Sequence, residues 1–114
     1  MRRENNMTAG QVFKTIIDKE REGEFLGATV QMVPHVTDEI KSRIKSVPGE
    51  LIMIEIGGTV GDIEGEIFLE AVRELWVEEG PENFLFIHVT YVPYLRVTNR
   101  SEEHTSELQS RQSN

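Results

Sequence analysis

At 114 residues the chain has room for one small domain or for part of a larger one. A formal charge of -8 excludes a broad electrostatic grip on nucleic acid or anionic lipid, and the absence of cysteine excludes disulfides and thiolate metal sites. No apolar run reaches the length of a membrane span, and Met1-Arg2-Arg3 is not followed by the apolar stretch of a signal peptide, so the expected compartment is the cytoplasm.

The opening MRRENN is polar. Thr8 can cap a helix starting near Ala9, in which Val12, Phe13, Ile16 and Ile17 recur at helical spacing and Gly23 provides a stop. Asn5 and Asn6 stand just before that helix, placed for capping, for a turn or for reaching a ligand. Phe25 to Val33 reads as a loop entering a short strand that Pro34 ends. His35 follows the proline, and both it and Gln31 fit a structural hydrogen-bonding role or a place in a site. Thr37 opens a second helix with Asp38 and Glu39 in its first turn. Its buried stripe is Ile40, Ile44 and Val47, with Lys41, Arg43 and Lys45 facing water, and Pro48-Gly49 closes it.

Leu51 to Glu64, LIMIEIGGTVGDIE, is the most informative stretch. Its short apolar run predicts a strand buried on both faces, as in a parallel sheet, ending in Glu55. The glycine-rich turn from Gly57 to Gly61 lets backbone approach a ligand closely, and the carboxylates of Asp62 and Glu64 follow. Three carboxylates at the carboxyl edge of a strand suit a hard metal ion or a polar ligand. A third helix then carries an apolar stripe of Phe68, Leu69, Val72, Leu75 and Trp76 and stops at Gly80-Pro81. Phe84 to Val92, FLFIHVTYV, predicts another buried strand with His88 satisfied inside it. Helices alternating with strands predict an α/β fold, a parallel sheet with flanking helices.

From Arg100 the pattern changes. RSEEHTSELQSRQSN is polar and aperiodic, and residues 100–110 resemble the translation of a sequencing adapter. The expected organisation is therefore a partial domain over residues 1–99 and a non-native, disordered tail over 100–114, with His104 and its glutamates carrying no chemistry.

The segments NNMTAGQVFKTIIDKEREGEFLGATVQMVPHVTDEI, IEIGGTVGDIE, FLEAVRELW and FLFIHVTYVPYL together resemble the N-terminal amidoligase (synthetase) domain of the CTP synthase family, over about Arg3 to Leu95. The resemblance implies a P-loop-NTPase-like, dethiobiotin-synthetase-like fold, incomplete in this chain, and an ATP-dependent amination of UTP to CTP with ammonia drawn from glutamine. Carried over by position, Glu55 is implied as a Mg²⁺ ligand, and Asp62, Ile63 and Glu64 as the segment that binds the pyrimidine nucleotide, where product CTP acts as feedback inhibitor. Gln31 and His35 are implied to line the same region, His35 as the candidate catalytic group. Gly65-Glu66-Ile67 departs from the Ser-Leu-Pro usual after DIE and alters the entry of that helix. The phosphate-binding loop with its lysine, a second acidic ligand, a KTKPTQ-like segment and the glutaminase domain have no counterpart in this sequence, so the 114 residues are expected to be catalytically inactive alone. Tetramers are usual in the family. Other amidoligases, of the dethiobiotin or cobyrinate type, and a nucleotide-binding regulatory module are the alternative readings.

Overall fold

Thr8 starts the first helix as its residue type predicts. Its Oγ1 accepts the Gln11 backbone N–H at 3.2 Å, and the Gln11 side-chain oxygen accepts the Thr8 N–H at 3.1 Å, satisfying two donors that a helix start leaves open. Helix α1 runs Ala9–Arg21, and the chain then turns through Gly23, at φ 81°. Helix α2 spans Thr37–Lys45 and helix α3 spans Ile63–Glu79. Short 3-10 turns precede α1 at Arg3–Asn5 and follow α3 at Pro81–Asn83. This computed structural model describes residues 2–58 and 61–96, and it divides into a unit over residues 1–84 and a second over 85–114.

The core of the first unit is the meeting of the three helices. Val12 and Ile16 of α1, Val36 and Ile40, and Ile67 and Ala71 of α3 form one buried cluster, with Met7, Phe25, Val30, Ile44 and Phe68 packed against it. The buried face of α3 thus runs through Ile67, Ala71, Val72 and Leu75. Leu69 and Trp76, expected on that stripe, lie on its exposed edge.

The expected α/β fold is not found. Among the described residues there is no strand and no sheet, and the regular structure is helical. Phe25 to Val33 does not form a strand. The chain there passes into a kinked helical turn over Met32–Val36, in which Val33 stays extended and the Val33–Pro34 peptide is cis, and this turn leads straight into α2. Among the described residues, Leu51 to Gly57 and Phe84 to Leu95 form no strand. A helix closes its hydrogen bonds within its own segment, whereas a strand needs a neighbour to form a ladder, and no such ladder occurs among the described residues. Relative exposure of 87%, 37%, 92% and 41% along Leu51, Ile52, Met53 and Ile54 shows the alternation of extended backbone with one side half covered. His88, expected inside a strand, is exposed.

Lys41 also departs from expectation. It is only 8% exposed, because its ammonium reaches Glu78 at 2.6 Å and Glu74 and Asp38 at 3.1 Å each, tying α2 to α3. A buried cation is tolerated when carboxylates surround it in this way. Those partners, Glu78 foremost, raise the affinity of Lys41 for its proton against the opposing cost of burial.

Candidate functional site: an acidic edge on a wide cavity

The first unit holds a cavity of about 1130 Å³. One wall is the extended segment from Ile52 to Gly58, and it continues into the start of α3 with Asp62, Glu64 and Gly65. The facing residues come from the polar N-terminal segment and the first two helices, among them Asn5, Asn6, Gln11, Thr15 and Arg43. Glu55, Asp62 and Glu64, three acidic residues within a ten-residue stretch, are therefore all among the residues that line this space.

Each acid is positioned by its local backbone. Glu55 ends the apolar run, just after Ile52 and Ile54, the less exposed side chains of that run. Asp62 caps α3, its Oδ1 accepting the Glu64 backbone N–H at 3.4 Å, which holds the carboxylate at the positive end of a 17-residue helix. Glu64 lies in the first turn, where the same end of the helix favours negative charge. Gly58, at φ 98°, adopts a backbone that side chains rarely allow, and a Cβ added there would sit 3.8 Å from the Asp62 Oδ2. That distance is ordinary contact, so it is the positive φ of the turn that calls for glycine at this position. Thr59 and Val60, within the predicted glycine-rich turn, lie outside the described residues.

The other predicted site residues are placed elsewhere. Gln31 and His35 do not line this cavity. They meet each other across the Pro34 turn: the Gln31 backbone N–H donates to His35 Nδ1 at 2.8 Å, and the Phe25 ring lies 4.8 Å from the imidazole, centroid to centroid. A ring nitrogen that accepts a hydrogen bond carries no proton, so in this arrangement the imidazole presents Nε2 to its surroundings as a donor. Ile63 is exposed as the first residue of α3 and does not line the cavity. The residues expected to be non-native, 100–114, lie outside the described residues.

Arg43 is legible in the sequence only in part. Its position four residues after Glu39 signals a helical ion pair, and the pair forms, Arg43 Nε donating to Glu39 at 3.0 Å. Lys19 of α1 reaches the same carboxylate at 3.0 Å. Burial alone would push the Glu39 carboxyl up, but these two cations overcome it and hold it below the usual range. What spacing could not show is that the guanidinium also donates to Thr15 Oγ1 at 2.6 Å, bridging α1 and α2 beside the cavity.

Among the described residues, no three His, Cys, Asp or Glu side chains gather as a set that could hold an ion by themselves. Mg²⁺ is commonly held by one or two carboxylates, with water and substrate phosphates completing its octahedron. An exposed carboxylate at Glu55, on a cavity wide enough for a nucleotide, fits an ion bound in that way.

A family profile described as "CTP synthase N-terminus" matches residues 1–113. The chain belongs to the CTP synthase N-terminus family. Among its relatives, the CTP synthase of Thermotoga maritima is 71% identical over 99 residues, covering 87% of this chain and 19% of that protein. The CTP synthase of Thermosipho africanus is 69% identical over 97 residues, covering 85% of the chain and 18% of the relative. That of Methanothermobacter thermautotrophicus is 52% identical over 116 residues, covering 94% of the chain and 22% of the relative. The chain thus spans about a fifth of the length of these CTP synthases. Among the described residues, no helix is long and apolar enough to cross a membrane.

Proposed function

We propose that this chain is the part of a cytoplasmic CTP synthase that presents carboxylates to a magnesium-bound nucleotide. The observation that carries the reading is the convergence of Glu55, Asp62 and Glu64 on one cavity, in a chain 71% identical to a CTP synthase over 99 residues. The overall reaction is ATP-dependent amination of UTP. Phosphate passes from ATP to the 4-oxygen of the pyrimidine, and ammonia derived from glutamine then displaces it to give CTP.

Glu55 holds Mg²⁺, which, when bound, offsets the charge of the nucleotide phosphates. Asp62 and Glu64 are acceptors only when ionised, so they select hydrogen-bond donors: the ribose hydroxyls, or the exocyclic amino group that distinguishes CTP from UTP. The same pair would let product CTP return as an inhibitor. Ile63 lies between them in sequence but does not line the cavity, so no contact of its own is proposed for it. Gln31 and His35 form a separate polar point, His35 donating through Nε2 to an anionic or carbonyl oxygen. The complete enzyme acts as a homotetramer with a glutaminase domain as the source of ammonia. The 114-residue chain, about a fifth of that length, binds nucleotide without completing turnover.

Calorimetric titration of the purified chain with UTP, with and without Mg²⁺, tests the reading. Binding is expected to be stronger with Mg²⁺, and Glu55→Gln is expected to remove that enhancement, weakening Mg²⁺-dependent binding by about tenfold or more. Equal Mg²⁺ dependence in the wild type and in E55Q would reject Glu55 as the ligand. CTP formed from UTP, ATP and ammonia by the chain alone would reject its inactivity.

A further inference from the structure

Thr37 is a fully buried polar side chain that the nucleotide reading does not use. Its Oγ1 donates to the Pro34 carbonyl at 3.1 Å, and the Glu74 carboxylate of α3 stands 3.4 Å from the same hydroxyl. A threonine in a helix commonly bonds back to a carbonyl three or four residues earlier, so the bond alone implies no function. Here, however, the carbonyl belongs to the residue immediately before His35. The backbone after His35 is held as well. Val36 lies in the core at 3% exposure, and its N–H donates to the Gln31 carbonyl at 3.4 Å. Gln31 returns its own N–H to His35 Nδ1 at 2.8 Å, so both of its backbone groups serve this one bend. The imidazole meets the Phe25 ring at an interplanar angle of 55°, and Phe25 packs against the buried cluster. Tilted aromatic pairs at this separation attract, which opposes rotation of the ring.

We infer that Phe25 and Thr37 are positioning residues for His35: Thr37 fixes the bend that carries it, Phe25 fixes its ring, and together they keep Nδ1 on the Gln31 amide and leave Nε2 as the nitrogen that donates. This rests on the reading of His35 as a donor through Nε2 and names the residues that give that donor a direction. A neutral imidazole can carry its proton on either nitrogen, and a half-turn of the ring exchanges Nδ1 with Cδ2. The Gln31 N–H excludes a proton on Nδ1. A half-turn would set a carbon against that N–H and leave it without an acceptor. Leucine at position 25 keeps apolar bulk but offers no ring face. Valine at position 37 keeps the branched shape and loses the hydroxyl, and the Pro34 carbonyl still receives the backbone N–H of residue 37, so the variant is expected to fold.

Nuclear magnetic resonance of the full 114-residue chain provides the test, in a buffer above the ordinary histidine range so that imidazoles are neutral. Helical circular dichroism checks the folding of each variant, and H35Q assigns the His35 signals by removing them. In the wild type a scalar coupling is expected across the hydrogen bond, between the Gln31 amide nitrogen and His35 Nδ1, with the proton on Nε2. F25L and T37V are each expected to weaken that coupling and to speed exchange of the Gln31 amide by about fivefold, the scale of one hydrogen bond. Exchange at the buried positions of α1 and α3 is expected to stay unchanged. F25Y and T37S, which keep the ring and the hydroxyl, are expected to restore both signals. A wild type without the coupling, or F25L or T37V matching the wild type at Gln31, would overturn the inference. So would faster exchange spread equally over α1 and α3, which general support of the fold would produce. No nucleotide enters the measurement, so its outcome is separate from that of Mg²⁺-dependent UTP binding at Glu55.

Discussion

Two regions of the first unit both carry large apolar side chains and are opposite in state. Helices α1 to α3 bury Val12, Ile16, Ile40, Ile67 and Ala71 in one cluster. Leu51 to Ile54, one of the most hydrophobic runs in the chain, keeps Leu51 and Met53 almost wholly in solvent. The contrast lies in where backbone hydrogen bonds come from. A helix supplies its own and needs tertiary contact only along one stripe, while an extended run needs a second strand before burial repays the entropy of ordering it. The candidate site straddles the two regions, with Glu55 on the extended run and Asp62 and Glu64 at the start of a helix.

The largest effect should come from within the helical cluster. Ile40 is 1% exposed, and Ile40→Ala is expected to cost about 2–5 kcal/mol of unfolding free energy through lost burial and the cavity left behind, measured by denaturant titration of the helical signal. Lys41→Ala comes next. It removes the cation that Glu74 and Glu78 share, leaving Glu78 with Lys45 at 3.9 Å, and because Glu78 is partly exposed a loss of about 1–3 kcal/mol is expected. Its pH dependence is specific. The proton affinity of Lys41 is raised on folding, so its contribution is complete below the unfolded lysine value near 10.4 and is lost only as pH rises through the higher folded value. The wild type should therefore hold its helices further into alkali than K41A does.

Glu39→Gln should act at the opposite end of the scale and more weakly, by about 1 kcal/mol at neutral pH. The Glu39 carboxyl is held below its ordinary value, so its contribution is present above the unfolded value and lost as pH falls through the folded one. Acid titration of the helical signal should be steeper in the wild type than in E39Q. The smallest effect is expected from Met53→Ala, within about 0.5 kcal/mol, because a side chain already in water loses little burial. A loss at Met53 comparable to that at Ile40 would erase the distinction between the two regions.

Much of the helical part is legible in the sequence. Thr8 with Gln11 three residues on announces a capping box, Gly23 a stop, and the spacing of Val12 and Ile16 a buried stripe. The expected strands fail for a physical reason. A short apolar run reports that a segment prefers burial and extension, but the partner that turns extension into a sheet is not a local property. Lys41 shows the same limit, since its burial depends on Glu74 and Glu78, more than thirty residues away. At the site, the grouping of Glu55, Asp62 and Glu64 is readable because the glycine turn keeps them close in sequence. The facing wall, with Gln11, Thr15 and Arg43, is not, because only the packing of α1 against α2 brings it to the cavity.

Whether the acidic edge of the cavity takes a magnesium-bound nucleotide can be read from residue-resolved amide hydrogen exchange, with and without Mg²⁺ and UTP. Helices α1, α2 and α3 are expected to be protected throughout. Nucleotide with Mg²⁺ is expected to add protection at Ile56, Gly57, Gly58 and the first turn of α3 from Asp62 to Glu66. Unchanged exchange at those residues, or new protection confined to other parts of the chain, would contradict magnesium-nucleotide binding at this edge.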